Sequence, residues 1–331
     1  MRRILACLGV LAMTSAAGQP GDAGPKIALA IHGGAGTISR EELTPEREAE
    51  FRGKLTEALR VGHGQLEDGA GALDAVVAAI RVLEDSPLFN AGRGAVFASD
   101  GSNELDAAVM DGRNLAAGAV SGVRHVAHPI ELARLVMERS PHVMLYGAGA
   151  EEFALGEDMP LVPQSYFFTQ HRWQELERAR EQERLELAPT AGQSGTVGAV
   201  ALDARGNLAA GTSTGGLTNQ RYGRIGDTPV IGAGTYADNA TCAVSGTGHG
   251  EYFIRSVVGH DIASLMRYRG LSVTEAADEV VLGKLVERGG DGGVIALDGD
   301  GNIAMALNTP GMYRGAVDTR GRLTVKIFAD E

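Results

Sequence analysis

Cysteine is almost missing from this chain: only Cys7 and Cys242 carry a thiol. Cys7 falls within an N-terminal stretch with the pattern of a removable secretory leader, Arg2 and Arg3 followed by an apolar run from Ile4 to Met13 and then by Ser15, Ala16 and Ala17. Loss of residues 1–17 leaves Cys242 alone, so no intrachain disulfide can form and stability has to come from packing. Within Cys242-Ala243-Val244 that thiol reads as a buried structural group. Lipoprotein cleavage before Cys7 is disfavoured, because almost no apolar region would precede it. Long apolar runs are also missing: no segment approaches the roughly 20 residues of a spanning helix, which predicts a soluble, secreted or periplasmic protein without a membrane span. Basic residues are outnumbered, 30 Lys and Arg against 42 Asp and Glu. That balance argues against a nucleic-acid binder, which needs a basic face to displace counterions, and leaves a small-molecule or dipeptide partner. Prolines and aromatics are few while glycines number 47, which points to tight turns and close backbone approaches rather than a disordered tract.

A hydrophobic content of 44% over 331 residues allows one large core or two ordinary ones. The mature region opens with an apolar strand at 26–32 that ends in Gly33-Gly34-Ala35-Gly36. A charged amphipathic helix runs from Pro45 towards Gly62, and an Ala/Val-rich one covers 72–84. Strands are expected at 104–110 and 116–123, and a helix begins at Pro129, where proline suits the first turn. The charged helix at 174–186 leads into a small, polar segment at 187–195, read as a mobile linker. Directly after it, 196–203 and 207–212 form a hairpin through Ala204-Arg205-Gly206. A strand at 241–245, helices at 251–268 and 272–288, and strands at 294–298 and 302–306 complete the chain. No internal repeat is visible. The sum is an α+β fold in which two sheets lie between helices, a four-layer αββα sandwich.

A mobile linker that abuts a core strand is intelligible if the chain is cut there. Breaking the Gly195–Thr196 bond would give Thr196 both a hydroxyl nucleophile and a free α-amine, whose reference pKa of about 8 suits a general base near neutrality. A threonine opening a strand is by itself an ordinary β-propensity choice. Its surroundings add weight: Gly211-Thr212-Ser213-Thr214-Gly215-Gly216, Gly223-Arg224-Ile225-Gly226-Asp227 and Ser245-Gly246-Thr247-Gly248-His249-Gly250 cluster hydroxyls with glycines. Arg224 and Asp227 can grip an amino acid's α-carboxylate and α-ammonium, and Thr247 with the Gly248 N–H can donate to an oxyanion. The plainer alternative for Arg224 and Asp227 is an ion pair in a surface turn.

These segments, with His32-Gly33-Gly34-Ala35-Gly36, Pro87-Leu88-Phe89-Asn90-Ala91-Gly92, the stretch from Glu104 to Gly112 and Asn308-Thr309-Pro310-Gly311-Met312-Tyr313-Arg314, make the chain resemble the plant-type asparaginase/isoaspartyl peptidase group of N-terminal nucleophile hydrolases over nearly its whole mature length. The resemblance implies the αββα sandwich, autocleavage into an α chain (18–195) and a β chain (196–331) that together form one domain, and an (αβ)2 assembly. It implies Thr196 as nucleophile, Thr214 and Thr247 hydrogen-bonding around it, Arg224 and Asp227 on the substrate's α groups, Thr247 and Gly248 as oxyanion donors, and Asn90 bordering the site. No cofactor is implied for catalysis. A structural sodium ion is implied on the backbone carbonyls of Leu83, Glu84, Ser86, Phe89, Ala91 and Arg93. Gly195, where glycosylasparaginases of the same fold have Asp, favours isoaspartyl peptides and asparagine as substrates.

Four rival readings carry less. Gly211-Thr212-Ser213-Thr214-Gly215 matches the G-x-S-x-G nucleophile elbow, with Asp227 and His249 following in order, but the next residues lack the helical period an elbow requires. A secreted amino-acid-binding protein could use Arg224 and Asp227 without turnover. His125 and His128 do not share a helical face as a zinc pair would. Gly246-x-Gly248-x-Gly250 lacks the full dinucleotide fingerprint. His249 reads as an ordinary packed or solvated histidine.

Overall fold

The computed structural model describes residues 26–36, 38–41, 43–185 and 195–331. The leader expected at 1–17 and the linker expected at 187–195, apart from Gly195, lie outside the described residues. Twelve strands occur among the described residues: β1 (Ala28–Gly36), β2 (Leu105–Asp111), β3 (Ala117–Val123), β4 (Met144–Tyr146), β5 (Val197–Leu202), β6 (Leu208–Thr214), β7 (Thr235–Ala237), β8 (Cys242–Gly248), β9 (Gly292–Asp298), β10 (Ile303–Leu307), β11 (Gly311–Val317) and β12 (Leu323–Phe328). They form an eight-stranded sheet in the order β12-β11-β1-β5-β6-β2-β3-β4 and a four-stranded sheet in the order β10-β9-β8-β7.

Strand alternation makes the layers. Leu29 and Ile31 of β1, Val197 and Ala199 of β5 and Ala209 of β6 face helices α1 (Pro45–Glu67) and α2 (Ala72–Glu84), and pack with Leu55, Leu59, Val76 and Ile80. The intervening residues Ala28, Ala30, Val200, Leu202 and Ala210 face the other way and meet Ala243, Ile295 and Leu297 of the four-stranded sheet. The far side of that sheet, with Val244, Val294 and Ala296, lies under further helices through Ile262, Val273 and Val280. The fold is therefore the αββα sandwich.

Several boundaries depart from the sequence reading, each for a tertiary reason. The first helix passes Gly62 and runs to Glu67 because it lies against α2, where a β-carbon on Gly62 would sit 2.7 Å from Leu29 Cδ2 and 2.9 Å from the Ala75 carbonyl. The helix expected at 251–268 is two helices, Gly250–Ser256 and Val258–Arg269, divided at Val257 with φ 48°. The second begins afresh because the Gly259 and His260 N–H groups turn to the Ala233 and Gly232 carbonyls. The helix expected at 272–288 widens into a π turn at Glu279–Lys284, where Asn308 Nδ2 donates to the Val281 carbonyl and draws it out of the helical ladder. Strands β4, β7, β11 and β12 have weak local signals. β11 exists because it pairs along the whole of β1, from Leu29 opposite Val317 to Gly36 opposite Gly311.

The α1–α2 contact gives a test of opposite signs. A β-carbon added to Gly64 would meet no atom within 4 Å, so Gly64→Ala raises unfolding stability by roughly 0.5–1 kcal/mol through helix propensity. Gly62→Ala meets backbone and packed side chains and lowers it by about 1–3 kcal/mol. Denaturant melts of the two variants read the difference, and equal shifts would refute the close packing.

Candidate active site

The same alternation builds the site. Inward positions along β6 read Leu208, Ala210, Thr212, Thr214; along β5, Thr196, Gly198, Val200, Leu202; along β8, Ala243, Ser245, Thr247. At one end of the sandwich the layer between the sheets thus changes from apolar to hydroxyl-bearing.

Thr196 immediately precedes β5 and is buried. Its Oγ1 donates to Thr214 Oγ1 at 3.2 Å. Thr214 Oγ1 also accepts from the Gly216 N–H at 3.1 Å and donates to the Gly195 carbonyl at 3.3 Å. That hydroxyl uses its one proton and both lone pairs. The backbone around the Gly195–Thr196 junction is crowded: a β-carbon on Gly34, where φ is +113°, would lie 2.7 Å from Gly195 Cα. Asn90, fully buried, backs onto Gly195, gives its Nδ2 to the Gly216 carbonyl and takes the Val96 N–H on Oδ1. Thr247 Oγ1 accepts from the Ala35 N–H at 3.2 Å, and so keeps its own proton for another acceptor.

Arg224 and Asp227 do not form the surface ion pair that was the plainer alternative. Arg224 makes a bidentate pair with Glu251, at 2.9 Å from Nε and 3.0 Å from Nη2. Glu251 was not singled out in the sequence. Asp227 is buried with its Oδ2 lacking a hydrogen-bond partner, and a β-carbon on Gly234 or Gly250 would fall 2.8 Å from its carboxylate. Burial drives its pKa from 3.8 to about 7, against the backbone bonding and the Arg224 charge that pull it down. An unpaired buried carboxylate walled by glycines is a group whose charge a small cation would satisfy. Asp106, also buried, feels the same Arg224 charge and takes hydrogen bonds from Ser121 Oγ and the Gly122 N–H.

The remaining candidates separate cleanly. Ser213 points to the helix face of β6 and donates to Glu84 Oε1 at 2.6 Å, away from Thr196 and on a strand rather than at an elbow. His249 stands near Glu251 on the surface. His125 pairs with Glu151, and His128 lies 3.4 Å from Glu84; no metal-holding group of side chains occurs among the described residues. Cys242 is buried, and burial pushes its thiol up to about 12. Leu83, Glu84, Ser86, Phe89 and Ala91 are buried beside Asn90, whereas Arg93 is exposed. The carbonyls of Glu84 and Phe89 crowd the spaces that β-carbons on Gly92 and Gly94 would take. A cavity of about 410 Å³ lies at the other end of β6 among closed ion pairs such as Asp74–Arg134 and Asp111–Arg113. His32, Thr212 and Ser245 stand within the quoted motifs but have no role of their own on the sequence, and Thr235 does not stand out there at all; extending the period of two along β1, β6 and β8 finds the first three.

A four-layer sandwich with a Gly-Thr junction at the head of an inner strand is the layout of an N-terminal nucleophile hydrolase. The family model described as asparaginase matches residues 25–327, and the chain belongs to that family. It is 52% identical over 295 residues to the isoaspartyl peptidase of Salmonella typhimurium, covering 87% of this chain and 94% of that protein. The isoaspartyl peptidase/L-asparaginase of Homo sapiens is 41% identical over 309 residues, 92% of this chain and 96% of that protein. The probable isoaspartyl peptidase/L-asparaginase 2 of Arabidopsis thaliana is 40% identical over 325 residues, 91% of this chain and 98% of that protein.

The Asp227 carboxyl sets a pH dependence. Because its folded pKa stands above its ordinary value, the unfolded chain gives up this proton first, and the folded state loses stability as pH rises from about 4 to about 7. The loss is at most about 4 kcal/mol. Asp227→Asn flattens that part of the stability–pH curve and raises the melting temperature at pH 7.5, checked by thermal melts across the range. An unchanged slope would place the unpaired charge elsewhere.

Proposed function

We propose that this chain is the precursor of a secreted or periplasmic threonine amidohydrolase that cuts its own backbone before Thr196 and then hydrolyses isoaspartyl dipeptides and L-asparagine, releasing L-aspartate. The observation that carries the reading is the hydroxyl relay at the junction. As Thr196 Oγ1 attacks the Gly195 carbonyl carbon, its proton passes to Thr214 Oγ1 while Thr214 hands its own proton to the Gly195 oxygen, and the tetrahedral adduct then collapses to an ester as the Gly195–Thr196 C–N bond breaks and that proton moves to the departing Thr196 amine. The resulting ester yields to water, leaving an α chain that ends at Gly195 and a β chain that begins with Thr196.

In the mature enzyme the new α-amine of Thr196 serves as base for its own hydroxyl. Substrate enters with its α-ammonium on Asp227 and its α-carboxylate on Arg224, a planar fork suited to it. Glu251, which holds that fork in the free protein, gives it up or shares it when the carboxylate arrives. Thr247 Oγ1 and the Gly248 N–H receive the oxyanion, and Asn90 backs the loop behind the junction. The relatives at 40–52% identity bear names that match this substrate class, and Gly195 ahead of the nucleophile sets the chain apart from the glycosylasparaginase alternative. No cofactor enters the chemistry. The 83–93 carbonyl loop would hold a sodium ion that stiffens the segment carrying Asn90, and the mature chains would assemble as (αβ)2. Residues 1–17 would direct export.

Two experiments test the reading. Purified wild type separates on a denaturing gel into two fragments, the smaller with Thr196 at its N-terminus, whereas Thr196→Ala remains one folded, inactive band and Thr196→Ser keeps part of both functions. Normal processing of Thr196→Ala would end the proposal. Arg224→Lys still self-cleaves yet loses most asparagine turnover, because an ammonium cannot copy the bidentate grip. Equal losses in cleavage and turnover, measured by gel and by ammonia release, would point to misfolding instead.

A further inference from the structure

His32 ends the inward row Ala28, Ala30, His32 of β1, and pairs across the sheet with Gly198, which pairs in turn with Thr212. It is wholly buried. Its Nδ1 lies 2.9 Å from the Thr196 carbonyl oxygen and its Nε2 lies 2.9 Å from Ser245 Oγ on the opposite sheet. Burial holds the ring down to about 3, the bond to Thr196 pulling the other way, so the imidazole is neutral and has a single N–H. A carbonyl can only accept, which assigns that proton to Nδ1. Ser245 must then donate to Nε2, and accept from Thr212 Oγ1 at 2.7 Å. Thr235 Oγ1 lies 2.7 Å from Thr212 Oγ1, a shorter contact than the 3.1 Å to its alternative acceptor, the Thr228 carbonyl. Every hydroxyl has one proton, so the shorter contacts make a chain that runs one way, Thr235 to Thr212 to Ser245 to His32 to Thr196. Its far end is anchored beside Asp227, where Thr235 also touches Thr228 and Thr212 lies 3.2 Å from the Gly234 carbonyl. Space for the central bond exists only because residue 198 is glycine: a β-carbon there would collide with both Ser245 Oγ and His32 Nε2.

We propose that His32 is a positioning residue for the nucleophile, holding the Thr196 carbonyl through Nδ1–H at the end of a directed hydrogen-bond chain that ties the head of β5 to the Asp227 loop. It is not a general base, since its protonated nitrogen is committed to a carbonyl and its other nitrogen to Ser245. Its importance rises with cleavage. Once Gly195 is severed, the β5 ladder begins only at Val197, and the torsion about the Thr196 Cα–C bond decides where amine and hydroxyl point. The bond from His32 fixes the carbonyl side of that torsion.

The proposal rests on Thr196 being the nucleophile, and its test separates the two. In processed enzyme, His32→Ala lowers kcat for asparagine about 10- to 100-fold, the cost of a misaligned nucleophile, while KM stays within about twofold. His32→Asn, whose Nδ2 takes the place of Nδ1, recovers most of the lost kcat, and the same order holds for the rate of self-cleavage. Nitrogen NMR of isotope-labelled histidine, assigned by comparison with His32→Asn, finds His32 as the neutral Nδ1–H tautomer, the minor form of free imidazole. That spectrum is recorded on Thr196→Ala, which keeps the carbonyl, so a failure of the nucleophile reading would show as activity in that variant and leave the tautomer result standing. Equal kcat in the Ala and Asn variants, an effect on KM alone, or a proton on Nε2 overturns the proposal. If His32→Ala does not fold, the Asn variant and the tautomer decide it.

Discussion

Two sheets face each other across a layer so thin that alanine is its commonest apolar side chain, and the rest of the molecule depends on that closeness. At Gly198 a single β-carbon would collide with side chains from both sheets. Strands packed in this way offer only every second residue to the layer, so a period-two switch from Ala, Val and Leu to Thr, Ser and His converts core into site without a change of fold. The apolar end supplies burial. The hydroxyl end supplies short, oriented hydrogen bonds in a region with little water, where they are strong and costly to leave unmade.

Electrostatics at the site follow from the same crowding. Asp227 is buried among glycines with one oxygen unpaired, a state that disfavours its ionised form until a cation arrives. Arg224, a few residues away, already holds the Glu251 carboxylate. One charged group is thus unpaired and the other already paired, so a cation meeting Asp227 would relieve an unmet charge, while an anion meeting Arg224 would exchange one partner for another.

Much of this was legible in the amino-acid string. The hairpin after Thr196 and the Ala/Val-rich helix at 72–84 carry strong local patterns, and the structure has them within two residues, whereas the strand expected at 26–32 runs on through the glycines to Gly36 because β11 pairs with it there. The hydroxyl and glycine clusters flagged Thr196, Thr214, Thr247, Arg224 and Asp227 as a group, because those residue types have little reason to gather except around polar chemistry. Cys242 read as a buried thiol from its neighbours alone.

Other features belong to the tertiary structure, since they arise between segments far apart in sequence. β11 is a strand because β1 offers it a partner, not because Gly311–Val317 has strong strand propensity. The break at Val257 comes from the Ala233 and Gly232 carbonyls drawing away the N–H groups of the next turn. Glu251 becomes the partner of Arg224 only when the helix start at Gly250 is folded against the Arg224–Asp227 loop. His32, on the sequence the end of an apolar run and the start of a glycine motif, has as its partners Thr196, 164 residues on, and Ser245, 213 residues on. The sequence determined which residues could face the layer between the sheets, because strand alternation is local. Which of them meet there was decided by the packing of the two sheets, because hydrogen bonds of that length exist only once both backbones are in place.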